Sequence, residues 1–192
     1  MLNKLNILFP YTKYYNKLLY DEEGIWSITL PYDANKISYI IQNELNKNSI
    51  IIDATCGLGG NIISLSKYFK KVIGIEINKN RFYMLLNNIY IYNINNIYLI
   101  NDDFINIINN SKFIYHGLFI DPPWGGPNYK SKTKLRLQLS SINIINIIKI
   151  VKNNNQNIKI FFKLPFNYDL SEFYNINYKI YKINNFILLI IL

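Results

Sequence analysis

Residues 49–61 read Ser-Ile-Ile-Ile-Asp-Ala-Thr-Cys-Gly-Leu-Gly-Gly-Asn, and this stretch decides the fold. Ile50, Ile51 and Ile52 are β-branched and form a short apolar run, the signature of a buried strand. The run ends in Asp53 and enters a glycine-rich turn, after which residues 62–69 read as a helix. A strand, a Gly-rich turn and a helix place a nucleotide-like ligand at the carboxyl end of the strand. Working outward, a second strand over residues 72–75 ends in Glu76. That acid lies about twenty residues past the loop, where a ribose diol is gripped. A third strand, 97–101, ends in Asp102-Asp103-Phe104, where Asp103 can accept from an adenine amine and Phe104 can pack on the ring. A fourth, 117–121, ends in Asp121.

Helices are expected over residues 37–45, 79–92, 104–110, 135–151 and 169–174. A fifth strand covers 158–164, and 178–182 with 186–192 fits a terminal hairpin turning at Asn184-Asn185. This alternation predicts an α/β fold with a mostly parallel seven-stranded sheet, helices on both faces and a C-terminal antiparallel hairpin. Residues 1–48 form a leader or lid, and 49–192 the catalytic domain.

The glycine pattern, with the acids at the following strand ends, favours S-adenosylmethionine over a dinucleotide. The loop is D-x-x-C-G-x-G-G rather than G-x-G-x-x-G, and no G-x-x-x-x-G-K-[ST] is present. Asp53 would repel a pyrophosphate but suits the ammonium of a methionine moiety. The expected cofactor is therefore S-adenosyl-L-methionine, in a Rossmann-like class I methyltransferase fold. Cys56, Gly57, Gly59 and Asn61 of the loop would line it. Cys56 has no recognisable base beside it and reads as a small packing residue rather than a nucleophile.

Residues 121–129 read Asp-Pro-Pro-Trp-Gly-Gly-Pro-Asn-Tyr. An acid, two prolines and an aromatic at a strand end make a stiff pocket for a flat group bearing an NH2. Asp121 can accept from that amine. Pro122 and Pro123 donate no hydrogen bond, so the Pro122 carbonyl can serve as a second acceptor. Trp124 offers a stacking face.

Taken together, these motifs resemble the trimethylguanosine synthases, the RNA cap guanine-N2 methyltransferases. The resemblance rests on DATCGLGGN (53–61), on Leu86-Asn87-Asn88-Ile89-Tyr90-Ile91-Tyr92 and on DPPWGGPNY (121–129), and it covers roughly residues 20–192. It implies that Asp53, Glu76, Asp103 and Phe104 hold S-adenosylmethionine. It also implies that Trp124 stacks on 7-methylguanine, that Asn88 bonds the guanine edge, and that Asp121 and Pro122 receive the N2 amine. Tyr129, closing the signature, joins the substrate contacts. Residues 21–29 (DEEGIWSIT) resemble the stretch ahead of the catalytic fold, which would bring Thr29 near the cofactor.

Three departures from the family pattern stand out. Asp121 replaces a frequent Ser. Leu30-Pro31-Tyr32-Asp33-Ala34 replaces Pro-Glu, with an insertion. Phe166 replaces an Arg expected to touch cap phosphates. The resemblance implies methyl transfer to the N2 amine of 7-methylguanosine caps on RNA. The alternatives are an adenine-N6 or rRNA guanine-N2 methyltransferase and a noncatalytic RNA-binding module.

Bulk properties agree. The 192 residues suffice for one α/β core, and 21 basic against 12 acidic residues give a net charge of +9, favouring a polyanionic partner. Lys130, Lys132, Lys134 and Arg136 follow the signature and read either as phosphate contacts or as a solvated loop. Tyr11, Tyr14 and Tyr15 could stack on a base or cap the sheet. A single cysteine allows no internal disulfide, which fits a reducing compartment, nucleus or cytoplasm. No signal peptide is evident, and the apolar runs are too short to span a bilayer. His116 has no triad context, and no Cys/His cluster suggests a metal. A monomer without membrane contact is expected. The Ile-, Asn-, Lys- and Tyr-rich composition fits an AT-rich genome, such as that of a protozoan or a large DNA virus.

Overall fold

A computed structural model describes residues 2–110 and 113–192. The stretch ahead of the first strand, called the leader below, carries helices α1 (Leu2–Leu8), α2 (Glu22–Ser27) and α3 (Pro31–Glu44). Alternation then begins: β1 (Ile50–Asp53), α4 (Gly60–Leu65), β2 (Lys71–Ile75), α5 (Lys79–Ile91), β3 (Ile97–Ile100), α6 (Phe104–Asn110) and β4 (Gly117–Ile120). A two-residue ladder, β5 (Gln138–Leu139) with β6 (Ile142–Asn143), precedes α7 (Ile144–Asn154). The chain closes with β7 (Lys159–Pro165), β8 (Tyr178–Ile183) and β9 (Phe186–Ile191).

The main sheet has seven strands in the order β3-β2-β1-β4-β7-β9-β8. The first five in that order run parallel, and β9 pairs antiparallel with both β7 and β8. The order reverses between β1 and β4, a switch point of the kind where α/β sheets bind ligands.

Alternation along each strand sorts the core into two layers. Ile52, Ile73, Leu118, Ile160 and Phe162 face α6 and α7, packing with Phe104, Ile144, Ile147 and Val151. Ile51, Val72, Phe119 and Phe161 face the other way, onto Ile37 and Ile41 of α3, Ile62 and Ile63 of α4 and Leu85 of α5. Each such fully buried side chain contributes about 1.5–3 kcal/mol. By the same period of two, Asp53, Asp121 and Lys163 all fall on the α3–α5 face.

The sequence reading misplaced two helix starts. α3 begins at Pro31, not near 37, because proline tolerates a first turn where its missing N–H would be unpaired anyway. α7 begins at Ile144, not 135. Ser140 and Ser141 adopt φ of 50° and 65°, turning Leu139 back onto Ile142, and Asn143 caps the helix by accepting from the Asn146 N–H at 2.8 Å.

The leader is fastened to the sheet domain. Arg81 of α5 donates to Asp21 and to Glu23, each at 2.8 Å. Phe9 and Leu18 pack on Leu58 of the glycine loop. Gly59 holds φ at 109°, and a Cβ on Gly60 would lie 2.7 Å from the Thr29 carbonyl oxygen. Only glycines let loop and leader approach this closely.

Candidate active site

The carboxyl ends of β1, β2, β3 and β4 carry the acids the sequence placed there. Asp53 closes β1 and is fully buried. Its Oδ1 accepts from the Thr55 N–H at 3.1 Å, while its Oδ2 has no hydrogen-bond partner among the described residues. Burial, followed by repulsion from Asp121 and Glu76 and only partly offset by the Thr55 bond, pushes its carboxyl up to about 7. Glu76 is buried beyond β2 and is held by the loop itself. Its Oε2 accepts from the Gly57 N–H at 2.8 Å and its Oε1 from the Asn78 N–H at 2.9 Å.

Cys56 is buried, its thiol donating to the Asp53 carbonyl at 3.3 Å. Burial pushes that thiol well above its ordinary range, which makes it a poor nucleophile. Asp103 accepts from the Ile105 N–H at 2.8 Å, capping α6. Asp102 accepts from the Asp103 N–H at 2.6 Å and from Asn106 at 3.1 Å. Phe104 is a core residue in the α6–α7 layer, so its ring is not presented to a ligand as the sequence suggested.

Thr29 reaches the site despite the changed residues after it. Its Oγ1 accepts from Asn61 Nδ2 at 3.0 Å and from Lys163 Nζ at 2.8 Å. Asn61 Oδ1 is buried and has no hydrogen-bond partner among the described residues. Asp121 follows β4. Its N–H donates to Thr55 Oγ1 at 2.8 Å, and its Oδ2 accepts from Lys163 Nζ at 2.7 Å. Burial raises the Asp121 carboxyl from its ordinary value, and Lys163 opposes that rise.

Pro122 is buried and Pro123 exposed at the rim. Trp124 is half-buried and turned partly inward, packing against both core layers. Its ring meets Tyr129 edge-on, with centroids 5.0 Å apart, and Lys163 Nζ stands 5.1 Å from the indole centroid. The indole Nε1 is buried without a hydrogen-bond partner among the described residues. Beside it the backbone passes through positive φ at Gly125 and Gly126.

Asn88 does not join this cluster. It is fully buried, donating to the Leu19 and Leu58 carbonyls at 2.9 and 3.2 Å and accepting from the Leu19 N–H at 2.9 Å and from Asn87 at 3.3 Å. Its amide is spent clamping the leader to the glycine loop, so in this structure it offers no edge to a guanine. Arg136 is likewise committed, to Asp169 at 3.0 Å, while Lys130, Lys132 and Lys134 are exposed. His116 directly precedes β4, its Nδ1 accepting from the Ile50 N–H at 3.0 Å.

Sequence reasoning missed Lys163. The available signal was a lysine between Phe162 and Leu164, inside the apolar part of the strand, one step beyond the Ile120–Phe162 pair and hence level with Asp121.

Among the described residues, three side chains hold a buried polar atom without a partner: Asp53, Asn61 and Trp124. All three line this one corner. Buried polar groups are otherwise nearly always paired. Two orphaned acceptors beside a glycine loop fit the ammonium of a methionine moiety, so the donor set suits S-adenosylmethionine.

A family model described as RNA cap guanine-N2 methyltransferase matches residues 48–190. An uncharacterized protein of Acanthamoeba polyphaga mimivirus is 32% identical over 89% of this chain and 75% of its own length. The trimethylguanosine synthase of Schizosaccharomyces pombe is 34% identical over 62% of the chain and 54% of its own length. That of Saccharomyces cerevisiae is 26% identical over 80% and 50%. The chain thus spans about half the length of these two synthases. Among solved structures, a Streptococcus mutans protein in complex with SAH superposes with a TM-score of 0.56 at 18% identity, over 85% of this chain and 98% of its own. An rRNA methylase from Streptococcus thermophilus gives 0.54 at 15%, over 81% and 92%. At these identities the likeness is one of fold. No helix among the described residues is long and apolar enough to cross a membrane.

Proposed function

The chain belongs to the RNA cap guanine-N2 methyltransferase family, and on that premise we propose that it methylates the exocyclic N2 amine of a 7-methylguanosine RNA cap. One round gives 2,7-dimethylguanosine and a second gives 2,2,7-trimethylguanosine. The observation that carries this reading is the concentration of unpaired buried polar atoms beside the Asp121-Pro122-Pro123-Trp124 rim. S-adenosylmethionine, when bound, supplies an electrophilic methyl group.

The chain's own residues do the rest. Asp53 Oδ2 and Asn61 Oδ1 would accept from the donor's ammonium, Glu76 would hold its ribose and Asp103 its adenine amine. Gly57 and Gly59 let the backbone close on it, and Thr29 orders the floor. Asp121 and the Pro122 carbonyl hold the hydrogens of the N2 amine and so aim its lone pair. So aimed, the lone pair would take up the methyl group that S-adenosylmethionine supplies when bound. The surplus proton leaves to water or to Asp121. The acid also stabilises the positive charge that grows on nitrogen.

Trp124 must leave its inward packing for a purine to stack on it, and the two positive-φ glycines beside it supply the hinge. Stacking on a cationic 7-methylguanine adds about 0.5–2 kcal/mol, which favours a cap already methylated at N7. Tyr129 supports the indole edge-on. RNA is the natural partner for a chain of net charge +9, and the exposed Lys130, Lys132 and Lys134 are placed for its phosphates. The chain is proposed to act as a monomer in the nucleus or cytoplasm, or in a virus-infected cell, as the mimivirus relative suggests.

The test is a methyl-transfer assay on 7-methyl-GTP, GTP and an adenine oligonucleotide, with product mass measured. Addition of 14 Da units (about that mass per methyl) to 7-methyl-GTP above the others supports the proposal. Transfer to adenine alone refutes it.

A further inference from the structure

Lys163 is the one component of the corner that the fold forces in and the motifs do not ask for. It lies in β7 at 6% exposure. Parallel register sets it level with Asp121, and period-two alternation points it to the α3–α5 face, where Thr29 and Asn61 close the site. Its Nζ donates to Asp121 Oδ2 at 2.7 Å and to Thr29 Oγ1 at 2.8 Å. The same ammonium stands 5.1 Å from the ring centroids of Trp124 and of Phe186 on β9. Two hydrogen bonds and two aromatic rings fix it in one place.

We propose that Lys163 is a positioning residue for the amine-binding carboxylate. It locks Asp121 Oδ2 and leaves Oδ1, with the Pro122 carbonyl, as the pair of acceptors for the incoming NH2. It also provides the positive charge that keeps Asp121 ionised in a buried corner. The inference rests on the proposed amine transfer.

The charges facing Asp121 support the second role. Asp53 faces it from β1 and itself faces Glu76 beyond β2. Thr29 from the leader and Asn61 from α4 contribute only neutral groups, which lower the Asp121 carboxyl less than Lys163 does. Lys163 from β7 is the cation that answers these acids.

Three proteins test this: the wild type, Lys163→Met, and the double variant Asp121→Ser/Lys163→Met. Two measurements apply to each. The first is kcat and KM for methyl transfer from pH 6 to 9. Lys163→Met should lose about tenfold or more in kcat at pH 7 and regain it toward pH 9, because Asp121 without its cation ionises only at higher pH. KM should change little. The double variant should show no such recovery with pH.

The second measurement is the melting temperature against pH, which needs no activity. Without Lys163 the acid's folded-state pKa is raised further, so its stabilising contribution belongs to acid pH and is lost as pH rises. Lys163→Met should therefore fall progressively below the double variant between pH 5 and 8. A loss in kcat equal at every pH, a gain in turnover in Lys163→Met, or a melting gap that does not widen overturns the proposal. Failure of the guanine reading is distinguishable. The wild type would then transfer to adenine rather than to 7-methyl-GTP, and the same pH comparison on that acceptor still decides Lys163.

Discussion

Asp53 and Asp121 end adjacent parallel strands and share one face of the sheet, yet they are finished differently. Asp53 keeps one oxygen unpaired in a fully buried position, whereas Asp121 is matched by Lys163 at 2.7 Å. Two like acids at one switch point would repel. The fold resolves this by giving one an internal cation and leaving the other to be completed by a ligand. The difference divides the corner into a side prepared for the methyl donor, which brings its own ammonium, and a side prepared for the acceptor, where geometry must be fixed before the amine arrives.

The comparison can be broken most directly at Asp53. Asp53→Asn should weaken S-adenosylmethionine binding by about a hundredfold in calorimetry, since charge-assisted hydrogen bonds are worth about 1.5–3 kcal/mol. The same change should raise the melting temperature of the ligand-free protein at pH 8. Its raised carboxyl pKa gives the fold a contribution that is present at acid pH and lost as pH rises from about 4 to 7. Unchanged affinity would remove Asp53 from the donor side.

Asn88→Ala sharpens the boundary between frame and site. It should cost about 2 kcal/mol of unfolding free energy, because it strands the Leu19 and Leu58 backbone groups. Denaturant unfolding measures this. A specific rise in KM for 7-methyl-GTP at full stability would instead return Asn88 to the guanine edge.

Trp124→Ala should touch the acceptor side alone. Turnover falls about tenfold, as expected for one lost stacking contact of about 1–3 kcal/mol, while donor affinity stays within about threefold. Wild-type turnover in this variant would end the stacking assignment.

An effect of similar size is a matter of pH. With the Asp53 carboxyl near 7, donor affinity should be about tenfold weaker at pH 6 than at pH 8, because the protonated acid cannot hold an ammonium. Calorimetry at the two values checks it, and a flat response would place the ionisation elsewhere.

Much of this was legible in the chain because it depends on local pattern. β-Branched runs ending in acids, a glycine turn between strand and helix, and the Asp-Pro-Pro-Trp rim each announce themselves within a few residues. The sheet, its terminal hairpin and the corner formed by Asp53, Glu76 and Asp121 followed from them. The starts of α3 and α7 did not, since a proline first turn and a two-serine turn compete with helical periodicity. Nor did the burial of Phe104, which looks like a ligand-facing residue until the α6–α7 layer is assembled around it.

The sequence by itself determined the fold class, the family resemblance and which strand ends carry acids, because strand and turn chemistry act over short spans. Only the tertiary structure decided that Asn88 is a clamp, that Trp124 rests inward and that Lys163 neutralises Asp121. Each of these depends on partners between 30 and 134 residues away in the chain. Such pairings are set by strand register and by the leader folding back, and no local pattern encodes them.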